Sequence, residues 1–441
     1  MIGGEIPGLM FVGLFVLIFI GIPVSFSFLL VAAVGGLLVF PPAVAATQVH
    51  NLLVTIASNW LLSAVPPFIF MGYVLEHSGI GRILFNAIRD LLGPVPGGIA
   101  LTTMVMAGMF AATTGIVGAV EILIGVLAIP AMMRLKYAKS LISGTICAGG
   151  SLGTMIPPTI VVVIYSSVAS ISVARLFAAV LLPALLMVGL FLVYILGRCI
   201  LRPADGGARW VAQDGGTVAV RLLAAARAVV PVVFLIALVL GSILTGLASP
   251  TEAASLGAAG AVALAAVNRS LTLGVVRAAL RETVWLSSMI LLIVVGGKVF
   301  SAVFHLQGGN AQIADLVAAI DPGPAGAVAL MLTLVFFAGF VFDWVSVVLI
   351  ALPIFLPILT AYDVDSIWFA TLMIIVIQTS YLTPPMAPSI FYLRSISPPE
   401  ISFADMYRGV IPFIICQLIV LLTVVFFPSL ATWLPSRINV Y

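Results

Sequence analysis

Charged side chains are scarce in this sequence. They make up 7% of its 441 residues, whereas hydrophobic residues make up 63% and the mean hydropathy is +1.31. A soluble protein of this size needs far more charge to cover its surface. The apolar segments are long enough to cross a bilayer as helices, and they lack the alternating pattern of a membrane β-barrel. The composition therefore predicts an all-α polytopic membrane protein.

Residue patterns for catalysis, metal binding and ATP hydrolysis are also absent. His50, His77 and His305 lie far apart, and the three cysteines stand singly in apolar surroundings. No phosphate-binding loop ending in Gly-Lys-Ser/Thr occurs, and no Ser/His/Asp arrangement is visible. We therefore expect no enzyme activity, no catalytic residue and no cofactor, and a net charge of +3 gives no indication of a nucleic-acid partner.

The few basic residues are clustered between apolar runs, and their distribution predicts the topology. The positive-inside rule places these clusters in the cytoplasm. The stretches 41–58, 305–323 and 361–366 contain no Lys or Arg, so we expect them outside. The polar stretch 201–221 contains two Gly-Gly pairs and is expected to be a flexible cytoplasmic linker between the two halves.

Two apolar runs do not fit single crossings. The run 97–133 begins and ends at cytoplasmic clusters, and its centre, 111–118, is small and Gly-bearing. The run 325–360 begins and ends at external loops, with Gly339 and Asp343 at its centre. This pattern predicts two re-entrant hairpins that enter the membrane from opposite sides.

The hairpins also fix the relation between the two halves. Five crossings separate the span 60–75 from its counterpart 284–304, so the halves are predicted to be inverted repeats. The run 8–40 fits either one long span or two spans split at Gly21-Ile22-Pro23. Repeat symmetry with 229–267 favours two.

Two Pro-Pro pairs interrupt apolar runs and mark this duplication. Pro157-Pro158 and Pro384-Pro385 lie 227 residues apart (384 − 157), and a similar Ile-Ser segment follows each pair. Proline removes a backbone donor and clashes with the carbonyl four residues before it, so each pair breaks a helix. Irregular backbone at membrane depth must be covered by protein or line a cavity. Many secondary transporters form their midplane substrate and ion sites from such paired broken helices.

Carbonyl and hydroxyl oxygens at the two breaks suit a desolvated Na⁺, which we expect to be the coupling ion. The alternative is an ordinary proline kink repaired by Ser and Thr. The candidate Na⁺ ligands are Thr113, Thr114, Gly118, Ser151, Gly153 and Pro157 in the first half and Gly339, Asp343, Thr379, Thr383 and Pro384 in the second. The hydroxyls expected to contact the substrate belong to Thr154, Thr159, Ser380 and Ser389.

Two carboxylates, Glu121 and Asp343, fall within the predicted hairpins. An ionisable side chain inside a membrane costs about 2.5 kcal/mol or more, which makes it a candidate functional group. Asp343 could neutralise a cation or hold a proton, and a structural hydrogen bond to a partner helix is the alternative. For Glu121, at the start of the second arm, helix capping is an equally good explanation.

The breaks and hairpins divide the chain into five segments, which the family resemblance described below assigns to two domains, a scaffold and a transport domain. The boundaries are 1–96 for the N-terminal scaffold helices and arm, 97–200 for the first half of the transport domain, 201–228 for the cytoplasmic linker, 229–304 for the second scaffold helices and arm, and 305–441 for the second half of the transport domain.

Several motifs match one family in the family's order along nearly the whole chain. They are Gly150–Pro158, Leu176-Phe177, Ser249–Ala254, Asp343-Trp344, Leu352–Pro357, Leu382–Pro385 and Gly409–Phe413. With these motifs the chain resembles the large membrane subunit of TRAP (tripartite ATP-independent periplasmic) transporters. The first hairpin tip departs from the family, because it reads Ala-Ala-Thr-Thr-Gly-Ile-Val-Gly where a Ser-Gly-Ser-type tip is common.

The resemblance implies an elevator-type fold in which a mobile transport domain carries both hairpins past the scaffold. It also implies Na⁺ coupling, a small four-helix membrane subunit as partner, and a periplasmic binding protein that delivers the substrate. The resulting hypothesis is a Na⁺-coupled importer subunit for a small organic acid (a carboxylate) in a bacterial inner membrane, surrounded by lipid.

Two other functions remain open on the sequence. One is a stand-alone ion-coupled anion or Na⁺/H⁺ transporter of the same broad superfamily. The other, more remote, is a membrane-embedded enzyme that acts on lipid-linked substrates. Such an enzyme would need clustered Asp, His and Arg at one membrane face, whereas this chain spreads its charges over several loops.

Overall fold

Helices form the framework of the protein in a computed structural model. The structure describes residues 6–115, 117–211 and 217–438, and these ranges contain twenty α-helices and no β-strand. Seven of the described helices are long and apolar enough to cross a membrane. A bent pair, Pro42–Ala57 with Leu62–His77, makes an eighth candidate, with 55° between its two parts. The prediction of an all-α polytopic membrane protein is confirmed.

The first half of the chain consists of ten helices. They are α1 (Ile6–Phe19), α2 (Val24–Val39), α3 (Pro42–Ala57), α4 (Val65–His77), α5 (Ile80–Leu92), α6 (Gly98–Thr114), α7 (Val117–Arg134), α8 (Lys139–Ser151), α9 (Ile160–Ala169) and α10 (Val173–Leu201).

The second half repeats this order, except that one long helix replaces α3 and α4 and a short helix is added at the end. Its helices are α11 (Val218–Leu244), α12 (Pro250–Val267), α13 (Leu273–Leu306), α14 (Gly309–Ile320), α15 (Gly323–Ala338), α16 (Trp344–Ala361), α17 (Ser366–Leu382), α18 (Pro388–Ile396), α19 (Phe403–Phe426) and α20 (Ser429–Arg437).

The apolar run 8–40 forms two helices, as repeat symmetry favours. Helix α1 ends at Phe19 and α2 begins at Val24, and the two pack against each other. Gly21 between them has φ +97°, a conformation that favours glycine, and Pro23 precedes the first turn of α2.

Both predicted hairpins are present as pairs of packed helices. Helices α6 and α7 are joined at Gly115, which ends α6 in the left-handed conformation, and residue 116 lies outside the described residues. Helices α15 and α16 are joined by residues 339–343. Since α7 and α16 are also long enough to span a bilayer, their re-entrant path stays a prediction from the charge distribution.

Each Pro-Pro pair separates two helices. Helix α8 ends at Ser151 and continues as a 3₁₀ turn to Thr154, and α9 begins at Ile160. Helix α17 ends at Leu382, and α18 begins at Pro388. Both Pro-Pro peptide bonds are cis.

Helices from the two halves pack into two groups. In one group α4 packs on α12 and α13, and α2 packs on α13. In the other, α8 packs on α19, α10 packs on α17 and α19, and each hairpin's second arm packs on a helix of the other half, α7 on α18 and α16 on α9. The groups follow the predicted scaffold and transport segments, whose boundaries stay a prediction.

The described part of the predicted linker is anchored, which corrects the expectation of a flexible segment there. Asp205 forms an ion pair with Arg198 at 2.9 Å. Trp210 stacks on the Arg89 guanidinium of α5 at 4.2 Å, and its Nε1 donates to the Asp90 carboxylate at 3.0 Å. The large Trp side chain and these charges hold residues 201–211 against α5 and α10, and 212–216 lie outside the described residues.

Candidate functional site

The tip of each hairpin packs against the broken helix of its own half. A Cβ atom on Gly115 would lie 3.1 Å from the backbone nitrogen of Ile160 and 3.4 Å from Thr159 Cα. A Cβ atom on Gly339 would overlap the Ser380 hydroxyl. Because a glycine stands at each contact, the backbone of each tip comes within van der Waals distance of its break.

Hydroxyl groups at the first break donate to backbone carbonyls of the same stretch. Thr154 Oγ1 donates to Ser151 O at 2.9 Å, and Thr159 Oγ1 donates to Gly153 O at 3.0 Å. Thr159 also accepts from Val161 N and so caps α9. These bonds are those expected of kink repair, yet each hydroxyl donates one proton and keeps lone pairs that a cation could use.

The threonines of the first hairpin tip make the same kind of bond. Thr113 and Thr114 both donate from Oγ1 to Phe110 O at 3.0 Å. Thr114 also packs on α4, since a Cβ atom on Gly72 would lie 2.7 Å from Thr114 Cα. The tip is therefore enclosed between its own break and a helix of the other packing group.

Hydroxyls of the second break bond within α17. Thr379 Oγ1 donates to Ile375 O at 2.8 Å, Thr383 Oγ1 to Thr379 O at 2.7 Å, and Ser380 Oγ to Ile377 O at 2.8 Å. Pro384 and Pro385 are exposed, whereas Pro157 and Pro158 are buried. The two breaks are therefore alike in chain order but differ in their access to solvent.

Asp343 caps the second arm of the second hairpin. Its Oδ2 accepts from Val345 N at 3.0 Å, and its Oδ1 accepts from the Ser346 hydroxyl. Asp residues at this position satisfy helix N–H groups that otherwise lack a partner. The carboxylate nevertheless keeps free lone pairs, so capping and cation binding are compatible.

The four hydroxyls expected to contact the substrate are all buried. Thr154 and Thr159 bond to the first break, and Ser380 lies against Gly339. Ser389 is 0% exposed and faces Glu121 of the first hairpin. Their role as substrate contacts stays a prediction.

Gly118 faces α18 of the other half, and Glu121 lies between that helix and α8 of its own half. A Cβ atom on Gly118 would lie 3.1 Å from the Tyr392 ring of α18. Glu121 is 0% exposed, and no backbone N–H among the described residues donates to either of its carboxylate oxygens. A capping carboxylate accepts from backbone N–H groups of the first turn, so the capping explanation for Glu121 is wrong.

Two glutamines that the sequence analysis did not select join the halves at the first break. Gln378 and Gln417 each direct Nε2 toward Ser151 Oγ, at 3.3 Å and 3.4 Å. All three residues are fully buried. Gln417 could have been found from sequence, because it is an amide inside the apolar run 409–434 and a buried polar group needs a partner.

The chemistry of these residues suits a monovalent cation better than a transition metal. Among the described residues no group of three or more His, Cys, Asp or Glu side chains converges. Backbone carbonyls, hydroxyls and one carboxylate remain as ligands, and hard oxygen ligands of low total charge do not favour a transition metal.

Comparisons with known proteins agree on one family. Residues 11–430 match the model of the family described as the tripartite ATP-independent periplasmic transporter, DctM component. The chain is 29% identical over 429 residues to the ectoine/5-hydroxyectoine TRAP transporter large permease protein UehC of Ruegeria pomeroyi, covering 96% of this chain and 97% of that protein.

Two further similarities extend over most of the chain. The C4-dicarboxylate TRAP transporter large permease protein DctM of Pseudomonas aeruginosa is 28% identical over 385 residues, which are 86% of this chain and 87% of that protein. The crystal structure of the YdaH transporter of Alcanivorax borkumensis superposes with a TM-score of 0.63 at 15% identity, covering 98% of both chains. At that identity the superposition shows a shared fold.

Proposed function

Since the chain belongs to the DctM component family of tripartite ATP-independent periplasmic transporters and is a large permease subunit, not an enzyme, we propose that it imports a small organic acid with Na⁺ as coupling ion. The proposed location is the bacterial inner membrane. Relatives named for ectoine and for C4-dicarboxylates support a carboxylate as substrate.

The observation that carries this proposal is the contact between hairpin tip and broken helix in both halves. In the first half Gly115 meets Thr159 and Ile160, and in the second half Gly339 meets Ser380. Each contact places carbonyls and hydroxyls of two segments within a short distance, which is what a desolvated Na⁺ requires.

The proposed ligands of the two Na⁺ ions follow from this contact. In the first half they are Thr113, Thr114, Ser151, Gly153 and Pro157, and in the second half Gly339, Asp343, Thr379, Thr383 and Pro384. The substrate would bind between the two tips, beside both ions. Its carboxylate would then be partly neutralised by the Na⁺ charges, and uptake would for this reason depend on Na⁺.

We propose an elevator mechanism, in which the hairpins and broken helices move as one transport block past the scaffold. Small residues at the boundary support it. Gly72 and Gly81 on the scaffold side lie against Thr114 and Phe110, and Gly297 of α13 lies against Leu349 of α16. A glycine at such a contact has no side chain to fit between those of the facing helix. The two helix surfaces therefore interlock little and can slide past each other.

The proposed partners are a small four-helix membrane subunit and a periplasmic binding protein. The family description itself names a tripartite system. In this arrangement the small subunit would bind the scaffold and keep it stationary, while lipid surrounds the remaining apolar helices.

Uptake by the reconstituted complex tests the proposal. The chain is purified with the proposed small subunit and binding protein, and uptake of labelled carboxylates into proteoliposomes is measured with an inward Na⁺ gradient. We expect accumulation with Na⁺ and none when K⁺ or choline replaces it. Accumulation that does not depend on Na⁺ would contradict the coupling.

The same reconstitution distinguishes the proposed three-part system from a stand-alone transporter. Uptake by this chain alone, at the rate of the full complex, would support that alternative.

A further inference from the structure

Glu121 is a buried carboxylate that the proposed Na⁺ sites do not use. It lies on α7, about one turn beyond the first hairpin tip, on a face that also carries Gly118 and Gly125. Gly118 lies against Tyr392, and Gly125 lies against Ile396, both of α18. The two glycines let α18 close over the carboxylate, which is 0% exposed.

The groups around the carboxylate come from α8 and α18. Glu121 Oε2 would lie 3.0 Å from a Cβ atom on Gly150, and the carboxylate faces Cys147 and Ser389. Cys147 Sγ donates to Ser389 O at 3.8 Å, whereas Ser389 Oγ has no partner among the described residues. A carboxylate and an unpaired hydroxyl therefore stand side by side in a closed site.

No cationic side chain approaches this site in the described chain. Cys147 of α8 and Tyr392 of α18 are the titratable groups that face Glu121. Helix α6 has no titratable side chain, and α5 meets another side of α7 through Gly81 and Leu123. Arg394, in the last turn of α18, donates to Ile401 O at 3.0 Å.

An ionised carboxylate in this position would have no compensating charge among the described residues, and only the Ser389 hydroxyl and the Cys147 thiol face it as possible donors. Burying such an ion is far less favourable than burying a neutral carboxyl group, which also supplies an O–H that can donate to Ser389 Oγ. A Na⁺ ion would find the carboxylate, one hydroxyl and few further oxygens, because the thiol is a poor ligand for hard cations. The proton is the occupant that this set of groups favours.

The second half has no equivalent group. Helices α7 and α16 occupy the same place in the two halves, and the stretch of α16 that corresponds to Glu121, Val347–Ile350, is entirely apolar. The carboxylate of the second half, Asp343, instead caps α16 at the hairpin tip and belongs to the proposed ion site. Glu121 therefore adds a function to the first half.

We propose that Glu121 is the binding site of a transported proton, so that this chain couples uptake to H⁺ in addition to Na⁺. The inference rests on the proposed transport function. Glu121 takes a proton from water on one side of the membrane, is carried as the neutral acid inside the transport block, and returns the proton to water on the other side. No other bond is made or broken.

Tyr392 forms the route between this site and water. Its ring covers Gly118, is 41% exposed, and lies within electrostatic range of both Glu121 and Asp343. A rotation of this ring away from Gly118 would open the carboxyl group to the solvent that reaches the second break. Whether Glu121 can exchange its proton with water would therefore depend on the arrangement of the hairpins.

Infrared spectroscopy tests the protonation directly and does not require transport. The purified protein in lipid is compared with Glu121→Gln, and with Glu121→Leu, which introduces the apolar character of the second half. We expect the wild type to show a C=O stretching band of a protonated carboxyl group at neutral pH that both variants lack. Identical spectra in that region would overturn the proposal. Asp315→Asn, an exposed site on α14, is the control and should keep the band.

Proton movement is then measured with a pH-sensitive dye enclosed in proteoliposomes. Na⁺-driven uptake by the wild type should acidify the lumen, and Glu121→Gln should take up substrate without acidification. Equal acidification by the variant, or a wild type that imports substrate with no acidification, would overturn proton coupling. If no preparation transports any carboxylate while the infrared band is present, the proposed function and the proton coupling both fail, and only the protonation of Glu121 stands.

Discussion

At the scale of single residues, Asp343 combines a structural bond with a charge at the proposed ion site. Its two oxygens accept from Val345 N and the Ser346 hydroxyl, so the residue starts α16. Asn caps helices about as well as Asp, since its side-chain oxygen accepts the same bond. The two roles can therefore be separated by one substitution.

Asp343→Asn should abolish most Na⁺-coupled uptake while assembly with the small subunit stays normal, because the cap remains and the charge is lost. Loss of one charge-assisted contact of about 1.4 kcal/mol already lowers cation affinity about tenfold. The matched control is Asp365→Asn, which removes the charge of another Asp cap, at α17, outside the site. Normal transport by Asp343→Asn would show that Asp343 serves only to cap α16.

The hydroxyls at the breaks give a second residue-scale prediction. Thr383→Ala and Ser151→Ala should each raise the Na⁺ concentration for half-maximal uptake, by up to about tenfold if a ligand worth about 1.4 kcal/mol is lost. Thr371→Ala is the control, because Thr371 is buried in α17 and makes the same bond to the carbonyl four residues earlier. If all three variants keep the wild-type Na⁺ dependence, the break hydroxyls serve only to repair the kinks.

At the scale of elements, the sequence was sufficient to predict the hairpins and the broken helices. Their signals are local, because Gly-bearing centres and Pro-Pro pairs change the backbone where they occur. The bonds of Trp210 and the burial of Glu121 were not predictable in this way. They depend on which helix faces are brought together, and a single residue such as Trp210 can anchor a segment whose composition is typical of a linker.

Gly339→Ala tests the contact between hairpin and break. The added methyl group would overlap the Ser380 hydroxyl, so the second tip should be displaced from α17 and uptake should fall strongly. Adding Ser380→Gly should restore part of the activity by making room. Gly189→Ala in α10, where a Cβ atom meets nothing within 4 Å, is the control. Wild-type uptake by Gly339→Ala would show that transport tolerates a displaced tip.

At the scale of the whole molecule, the duplicated helix order could be inferred from sequence, but the difference between the halves could not. The second break is exposed and the first is buried, although their motifs are similar. In the proposed mechanism, exposure depends on the position of the transport block relative to the scaffold. That position changes during each transport cycle. It is set by packing between elements, which no local sequence pattern encodes.

The most direct test of the account is a reversible cross-link between the two groups of helices. Asn59 Nδ2 of the scaffold donates to Ser167 Oγ of the transport block at 2.8 Å, so Asn59→Cys with Ser167→Cys brings two thiols together across the boundary. The control pair is Ser63→Cys with Thr251→Cys, whose hydroxyls are 3.3 Å apart and both lie in scaffold segments. Uptake into proteoliposomes is measured before and after oxidation.

Oxidation of the 59–167 pair should stop uptake, reduction should restore it, and the 63–251 pair should transport equally in both states. Uptake that continues unchanged through the fully formed 59–167 disulfide would contradict the movement of a transport block past a fixed scaffold.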